Sequence, residues 1–230
     1  MLYFGGLSGS AALATSYYTE SSLLTEDSVT FMLLAVDIGN TQTALGLYES
    51  VHADHPAHMW RLATYKHDAK DDITVKLLPL LGAAGVQAAD VRSAALASVV
   101  PGLTRSWSRA VHDLCGAQVR VCTAEVASGA GLFAASYPNP HEIGADRVAD
   151  AVAARALYGA PVVVVDFGTA TNIEVIDAEG RFIGGIIAPG VETGASALFS
   201  HATRLAAVDM RAPESVIGTS SDEAMRSGII

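Results

Sequence analysis

Two segments of the chain carry the residue types of a site that handles phosphate and metal ions, in one shared pattern. Leu33-Leu34-Ala35-Val36-Asp37-Ile38-Gly39-Asn40-Thr41 recurs in outline as Val163-Val164-Val165-Asp166-Phe167-Gly168-Thr169-Ala170-Thr171. Each is an apolar run that ends in Asp-x-Gly, continues with small hydroxyl or amide residues, and re-enters a strand-like stretch. A short apolar run bounded by turn signals reads as a buried strand. Its glycine permits a tight turn and a close backbone approach to a ligand. A carboxylate at the end of a buried strand is costly unless a cation or hydrogen-bond donors meet it. Either turn alone also reads as a plain hairpin with an Asp-stabilised bend. Together they offer backbone N–H groups, hydroxyls and two carboxylates, a donor set that suits a metal-bound polyphosphate.

The elements that must hold these turns are legible from the pattern of apolar residues. Strands are expected at 33–37, 43–48, 58–63, 93–99 and 118–122, and helices near 71–83 and 103–114. Pro101-Gly102 punctuates a strand-to-helix step, and Gly116 ends the second helix. Beyond the Pro138–Pro140 loop, residues 146–158 have helical spacing, and Gly159-Ala160-Pro161 stops them and marks the expected domain boundary. Strands follow at 162–166, 171–177 and 182–187, then a helix from about Val191. Strands alternating with helices predict an α/β protein. Hairpin-like strand pairs at the start of each half predict mixed rather than purely parallel sheets.

The paired turns resemble those of the acetate and sugar kinase, heat-shock chaperone and actin superfamily. Further residues narrow the resemblance: Tyr137-Pro138-Asn139-Pro140, Gly144-Ala145-Asp146-Arg147, and Gly184-Gly185-Ile186-Ile187-Ala188-Pro189-Gly190 follow Asp37–Thr41 in order. In that order they are similar to the type III pantothenate kinase family, from about Met32 to the last residue. The resemblance implies two ribonuclease-H-like domains of an actin-like ATPase fold, at 32–159 and 160–230. It implies ATP-dependent phosphorylation of pantothenate, the first step of coenzyme A synthesis, by a cytoplasmic homodimer whose acceptor pocket lies near the subunit interface. ATP contacts are expected from Asp37, Ile38, Gly39, Asn40, Thr41, Gln42, Thr43, Ala44 and Thr169, with Gly184–Gly190 resembling the adenosine-binding stretch. Asp37 faces the phosphates through Mg2+, directly or through water. The second aspartate, Asp166, holds a monovalent cation, K+ or ammonium. Pantothenate contacts are expected from Tyr137, Gly144, Ala145, Asp146, Arg147 and Ser221, the last standing where the family usually has Thr.

Asp146 carries the expected catalytic role, accepting the proton of the pantothenate hydroxyl. It lies at the start of an expected helix, where free N–H groups and the helix dipole favour its charged form. A loose phosphoryl-transfer transition state tolerates such a weak base, since positioning supplies most of the catalysis. The same residue reads alternatively as a helix-start Asp paired with Arg147 or Arg155. Arg147 in turn can meet the substrate carboxylate or a neighbouring acid. Retention of Asp37, Asp146 and Asp166 favours an enzyme over a silent regulatory accessory factor, and another phosphotransferase or phosphatase of the superfamily is the alternative within enzymes.

Composition narrows the classes further. The 230 residues are 50% hydrophobic and 17% charged, a globular composition. A net charge of −10 and only three lysines, Lys66, Lys70 and Lys76, argue against nucleic-acid binding. No apolar run reaches the roughly 20 residues of a membrane helix. The chain has no G-x-x-x-x-G-K-[ST] sequence, which excludes a P-loop. With so few lysines, metal ions are expected to neutralise the triphosphate. Cys115 and Cys122 fit a reducing compartment and have no ligand-like neighbours in sequence. His52, His55 and His58 are spaced by threes but read as a solvated strand connection. Trp60 and Trp107 are expected in the core or an interface. Residues 1–31 lack periodicity and basic residues and read as an extension without a packing role, with Met32 as the functional start. Asp222–Ile230 reads as the opening of a helix, after which a terminal helix of the family is expected to be missing.

Overall fold

The computed structural model describes residues 31–50, 53, 55–201 and 208–230. β1 (Met32–Ile38) has no inside–outside alternation because Leu33, Leu34, Ala35 and Val36 are all buried. A strand covered on both faces belongs in the middle of a sheet, and β1 is the central strand of five in the order β3-β2-β1-β4-β5. β2 (Gln42–Tyr48) pairs antiparallel with β1 and with β3 (His58–Ala63), whereas β4 (Val91–Ser98) runs parallel to β1 and to β5 (Gln118–Val121). The sheet is therefore mixed, in the ribonuclease-H-like arrangement expected from the sequence.

One face of this sheet packs on α1 (Lys70–Ala83) and α2 (Pro101–Cys115). Leu34, Val36 and Ile38 meet Ile73, Leu77 and Leu81 of α1 and Leu103, Trp107 and Val111 of α2 there. The spacing of the helix residues, four apart in each, is the stripe that burial on one face requires. Truncating one of them, Leu77→Ala for example, would cost about 2–5 kcal/mol. The Asp72 carboxylate accepts the Ala69 N–H at 2.9 Å to open α1, and Gly116, with φ 68°, closes α2. Trp107 is in the core as expected, and Trp60 packs against its edge, stacked on His58. On the other face Leu33 and Ala35 join Tyr48 and Ala95, with Phe31 packed against them. Phe31 is the one described residue of the expected extension; residues 1–30 lie outside the described part, as does His52 of the histidine trio.

A further core cluster gathers around α4 (Ala145–Tyr158), with α3 (Ala124–Gly129) against it. The sequence reading did not anticipate α3, because six residues are too few to show a period. It is set by Thr123, whose hydroxyl accepts the Val126 N–H at 3.2 Å. β6 (Val162–Phe167), β7 (Ala170–Ile176) and β8 (Phe182–Pro189) form a three-stranded sheet, followed by α5 (Val191–His201) and α6 (Ser221–Ile229). The chain divides into two compact units: one runs to Val164 and takes in Glu174–Gly184, the other comprises Val165–Ile173 and Gly185–Ile230. Among the described residues no helix is long and apolar enough to cross a membrane.

Candidate active site

The first Asp-x-Gly turn joins β1 to β2 and is pinned from several sides. The Gly39 N–H donates to the Gln42 carbonyl at 3.0 Å, the Thr64 N–H to the Thr41 carbonyl at 2.9 Å, and the Val99 N–H to the Ile38 carbonyl at 3.0 Å. A Cβ on Gly39 would sit 2.9 Å from the Gln42 carbonyl oxygen, so only glycine closes this turn without displacing backbone. Asn40, Thr41 and Gln42 are exposed at the tip, Asp37, Gly39 and Ala44 are half-buried, and Ile38 is buried and supplies backbone alone. Thr43 faces inward: it is 2% exposed and its hydroxyl lies 2.9 Å from that of Thr64. Its role in this structure is to tie β2 to the residue that follows β3.

The second expected group of residues lies at the start of α4, in the same unit. Gly144 is the N-cap, and a Cβ there would meet the Asp146 Oδ1 at 2.5 Å. The bare glycine leaves room for that carboxylate to fold back over the helix start, where Oδ1 accepts the Arg147 N–H at 2.8 Å. Burial raises the Asp146 carboxyl above its ordinary value, against the lowering effect of the Arg147 N–H bond and guanidinium. This corrects the sequence expectation that the helix start favours the charged form. The N–H groups and dipole are there, but loss of water outweighs them. The correction makes Asp146 a better proton acceptor than an ordinary carboxylate. Arg147 meets the Asp146 carboxylate through its backbone N–H, while both guanidinium groups expected as partners also bond elsewhere. Arg147 Nε donates to Glu174 Oε1 at 2.9 Å, and Arg155 Nη1 donates to the Leu132 carbonyl at 3.4 Å.

Cys122 shows how the two groups converge. Its buried thiol donates to the Ala145 carbonyl at 3.5 Å, and it is pushed up to about 12, by burial first and then by the charges of Asp146, Asp150 and Asp37. The hairpin carboxylate and the helix carboxylates thus act on one sulfur. Tyr137 flanks this region, with its ring edge-on to Phe182 at 6.2 Å between centroids.

In the other unit the second turn joins β6 to β7. The Gly168 N–H donates to the Ala170 carbonyl at 2.9 Å. The Thr169 carbonyl accepts from the Gly190 N–H at 3.0 Å and from the Thr193 hydroxyl at 2.7 Å. Gly190 is closed in so tightly that a Cβ would overlap the carbonyl oxygens of Gly168 and Thr169. Asp166 is half-buried at the end of β6, and Thr169 is exposed. Ser221 is exposed on the first turn of α6, whose N-cap is Ser220, its hydroxyl accepting the Glu223 N–H at 3.2 Å.

Among the described residues no group of three or more His, Cys, Asp or Glu side chains is arranged to hold a metal ion. Mg2+ commonly takes one or two protein carboxylates and completes its shell with phosphate and water oxygens. Asp37, half-buried at the end of β1 beside the exposed turn tip, is the carboxylate of the first turn that would meet such an ion.

The type III pantothenate kinase family model matches residues 33–230. The chain belongs to the type III pantothenate kinase family. It is 42% identical over 203 residues to type III pantothenate kinase 1 of Symbiobacterium thermophilum, covering 86% of this chain and 74% of that one. It is 41% identical over 199 residues to the type III pantothenate kinase of Frankia casuarinae, covering 86% and 76%. Among solved structures it resembles a Campylobacter jejuni protein described as a Baf family transcriptional activator, with TM-score 0.51 and 17% identity over 85% of this chain and 72% of that one. That likeness concerns the fold alone.

For a member of this family, the sequence reading missed three residues near the Asp146 region. Asp150 is 2% exposed one turn beyond Asp146, and the i, i+4 spacing of two acids on one helix was its signal. Glu174 is fully buried and Phe182 is 1% exposed. Nothing in the sequence ties either to Arg147, because 27 and 35 residues separate them from it.

Proposed function

We propose that the chain transfers the γ-phosphate of ATP to the hydroxyl of pantothenate, giving 4'-phosphopantothenate, the first step of coenzyme A biosynthesis. It is a pantothenate kinase, and ATP is the phosphate donor. The observation that carries the reading is geometric: Asp37 pairs with Ala97 across β1 and β4, the neighbouring Leu96 carbonyl accepts the Cys122 N–H at 2.8 Å, and the Cys122 thiol donates to the Ala145 carbonyl at 3.5 Å, next to Asp146 at the start of α4. This supports a reading in which the first turn meets phosphate and Asp146 accepts a proton.

In this reading the β1–β2 turn orients the polyphosphate through the N–H groups and side chains of Asn40, Thr41 and Gln42, with Gly39 allowing close approach. Ile38 and Ala44 frame the turn, and Thr43 braces it. Asp37 holds the Mg2+ that, when bound, neutralises the phosphate oxygens. Asp146 Oδ2 takes the acceptor hydroxyl proton as the oxygen attacks, while Oδ1 stays anchored on the Arg147 N–H. Tyr137, Gly144, Ala145 and Arg147 line the acceptor, with Ser221 contributing a hydroxyl. Asp166 holds the monovalent cation and Thr169 contacts ATP. We assign the domains to 32–159 and 160–230, and the working form to a cytoplasmic homodimer that binds neither nucleic acid nor membrane.

The test is a steady-state assay of the purified chain with ATP, pantothenate, Mg2+ and K+, following ADP release and identifying the product by mass. Stoichiometric 4'-phosphopantothenate is expected. ATP turnover on another alcohol acceptor would assign a different phosphotransferase, and no turnover with intact folding would point to an accessory factor.

A further inference from the structure

Arg147 is held by two groups that the reaction does not use. Its Nε donates to Glu174 Oε1 at 2.9 Å, and its guanidinium carbon lies 5.2 Å above the centre of the Phe182 ring. Phe182 is fixed in turn, with the Phe133 ring tilted against it at 5.8 Å and Tyr137 meeting it edge-on. The guanidinium is thus located by a bond at Nε and a ring under its plane. A fork held on those two sides presents Nη1 and Nη2 in a fixed direction, and such a fork recognises a carboxylate with two parallel hydrogen bonds.

Glu174 itself is out of place by the logic of its strand. Along β7 the buried positions are Asn172, Glu174 and Ile176, and this last packs with Val148, Val164 and Phe182 in an apolar cluster. Glu174 has no exposed surface, and the Arg147 side chain keeps 12% of its own. A buried ion pair is weak evidence for stability, because well-packed apolar residues of similar volume often serve as well. What the pair supplies here is position: the Nε side of the guanidinium of a helix-start residue is fixed to a buried strand residue.

We infer that Glu174, with Phe182 beneath, is a positioning residue that acts through Arg147 to fix its guanidinium for the carboxylate end of the acceptor. The inference rests on the pantothenate kinase reading and goes beyond it by naming what sets selectivity for an acidic acceptor.

A double-mutant cycle on the full chain tests it, with kcat and KM for pantothenate measured in each variant. Glu174→Gln is expected to raise KM roughly tenfold while kcat stays within about twofold, since a charge-assisted bond is replaced by a neutral one. In an Arg147→Gln background the same change should alter KM by less than about twofold, because residues that act as a unit are not additive. A structural role alone predicts equal changes in both backgrounds, or a fall in kcat, and either result overturns the inference. Should Glu174→Gln melt below the assay temperature, Phe182→Leu makes the same comparison with the ion pair intact, and the same pattern is expected. Inactivity of the unaltered chain would overturn the kinase reading and this inference with it. An active chain with additive variants would overturn the positioning role only.

Discussion

The two Asp-x-Gly turns share a sequence pattern and differ in how each is closed. The β1–β2 turn sits on the most buried strand of a five-stranded sheet and is braced by a hydroxyl pair, Thr43 and Thr64. Its exposed tip consists of Asn40, Thr41 and Gln42, all of them side chains with donors. The β6–β7 turn is closed by backbone: Gly190 lies against the Gly168 and Thr169 carbonyls, and Thr193 bonds the second of them. The strand leading into it, β6, is covered in part only, with Val163 and Phe167 58% and 61% exposed. One pattern thus gives a tip of exposed side-chain donors in one place and a turn closed by backbone in the other. In the proposed function the first turn meets phosphate and the second the monovalent cation, so one sequence pattern would serve two chemistries.

The largest expected effect separates the two aspartates. Asp37→Ala should lower kcat by about 10²- to 10³-fold in any monovalent salt, as losing a preorganised electrostatic contact to the phosphates does. Asp166→Ala should cost less, about tenfold or 1.4 kcal/mol of barrier, and should erase the difference between K+ and Na+. Equal rates of the unaltered chain in K+ and Na+ would remove the second turn from cation binding. A smaller effect distinguishes the closures by urea unfolding. Gly190→Ala, which overlaps two backbone oxygens, should cost about 3 kcal/mol, and Gly39→Ala, which crowds one, about 1 kcal/mol. Equal losses would mean the turns are closed alike. Smallest is a change in stability with pH. Because burial raises the folded-state pKa of Asp146, its charge opposes folding at neutral pH, and the penalty vanishes below the pKa of the unfolded chain. Asp146→Asn should therefore melt no lower than the unaltered protein at pH 7, with its advantage shrinking on acidification.

The strands and longer helices were legible in the sequence because each carries its own period or its own stops. Leu103, Trp107 and Val111 announce α2, and Gly116 ends it. The Asp-x-Gly repeat and the Gly144–Arg147 segment located the candidate residues for the same reason, since both are local. What the sequence concealed depends on burial or on distance along the chain. The inward turn of Thr43 follows from its pairing with Thr64, 21 residues away. The raised Asp146 pKa reflects water excluded by packed neighbours, which a local reading of the helix dipole omits. The Glu174–Arg147 pair joins a strand and a helix 27 residues apart, and no short motif encodes it.

The most direct measurement is the turnover of Asp146→Asn with ATP and pantothenate at saturating Mg2+ and K+. Asparagine keeps the shape of the side chain and an oxygen for the Arg147 N–H, so the helix start should stand while the proton acceptor is gone. The account predicts a fall in kcat of about 10²- to 10⁴-fold in a chain that melts no lower than the unaltered one. Undiminished turnover in that folded variant would contradict it.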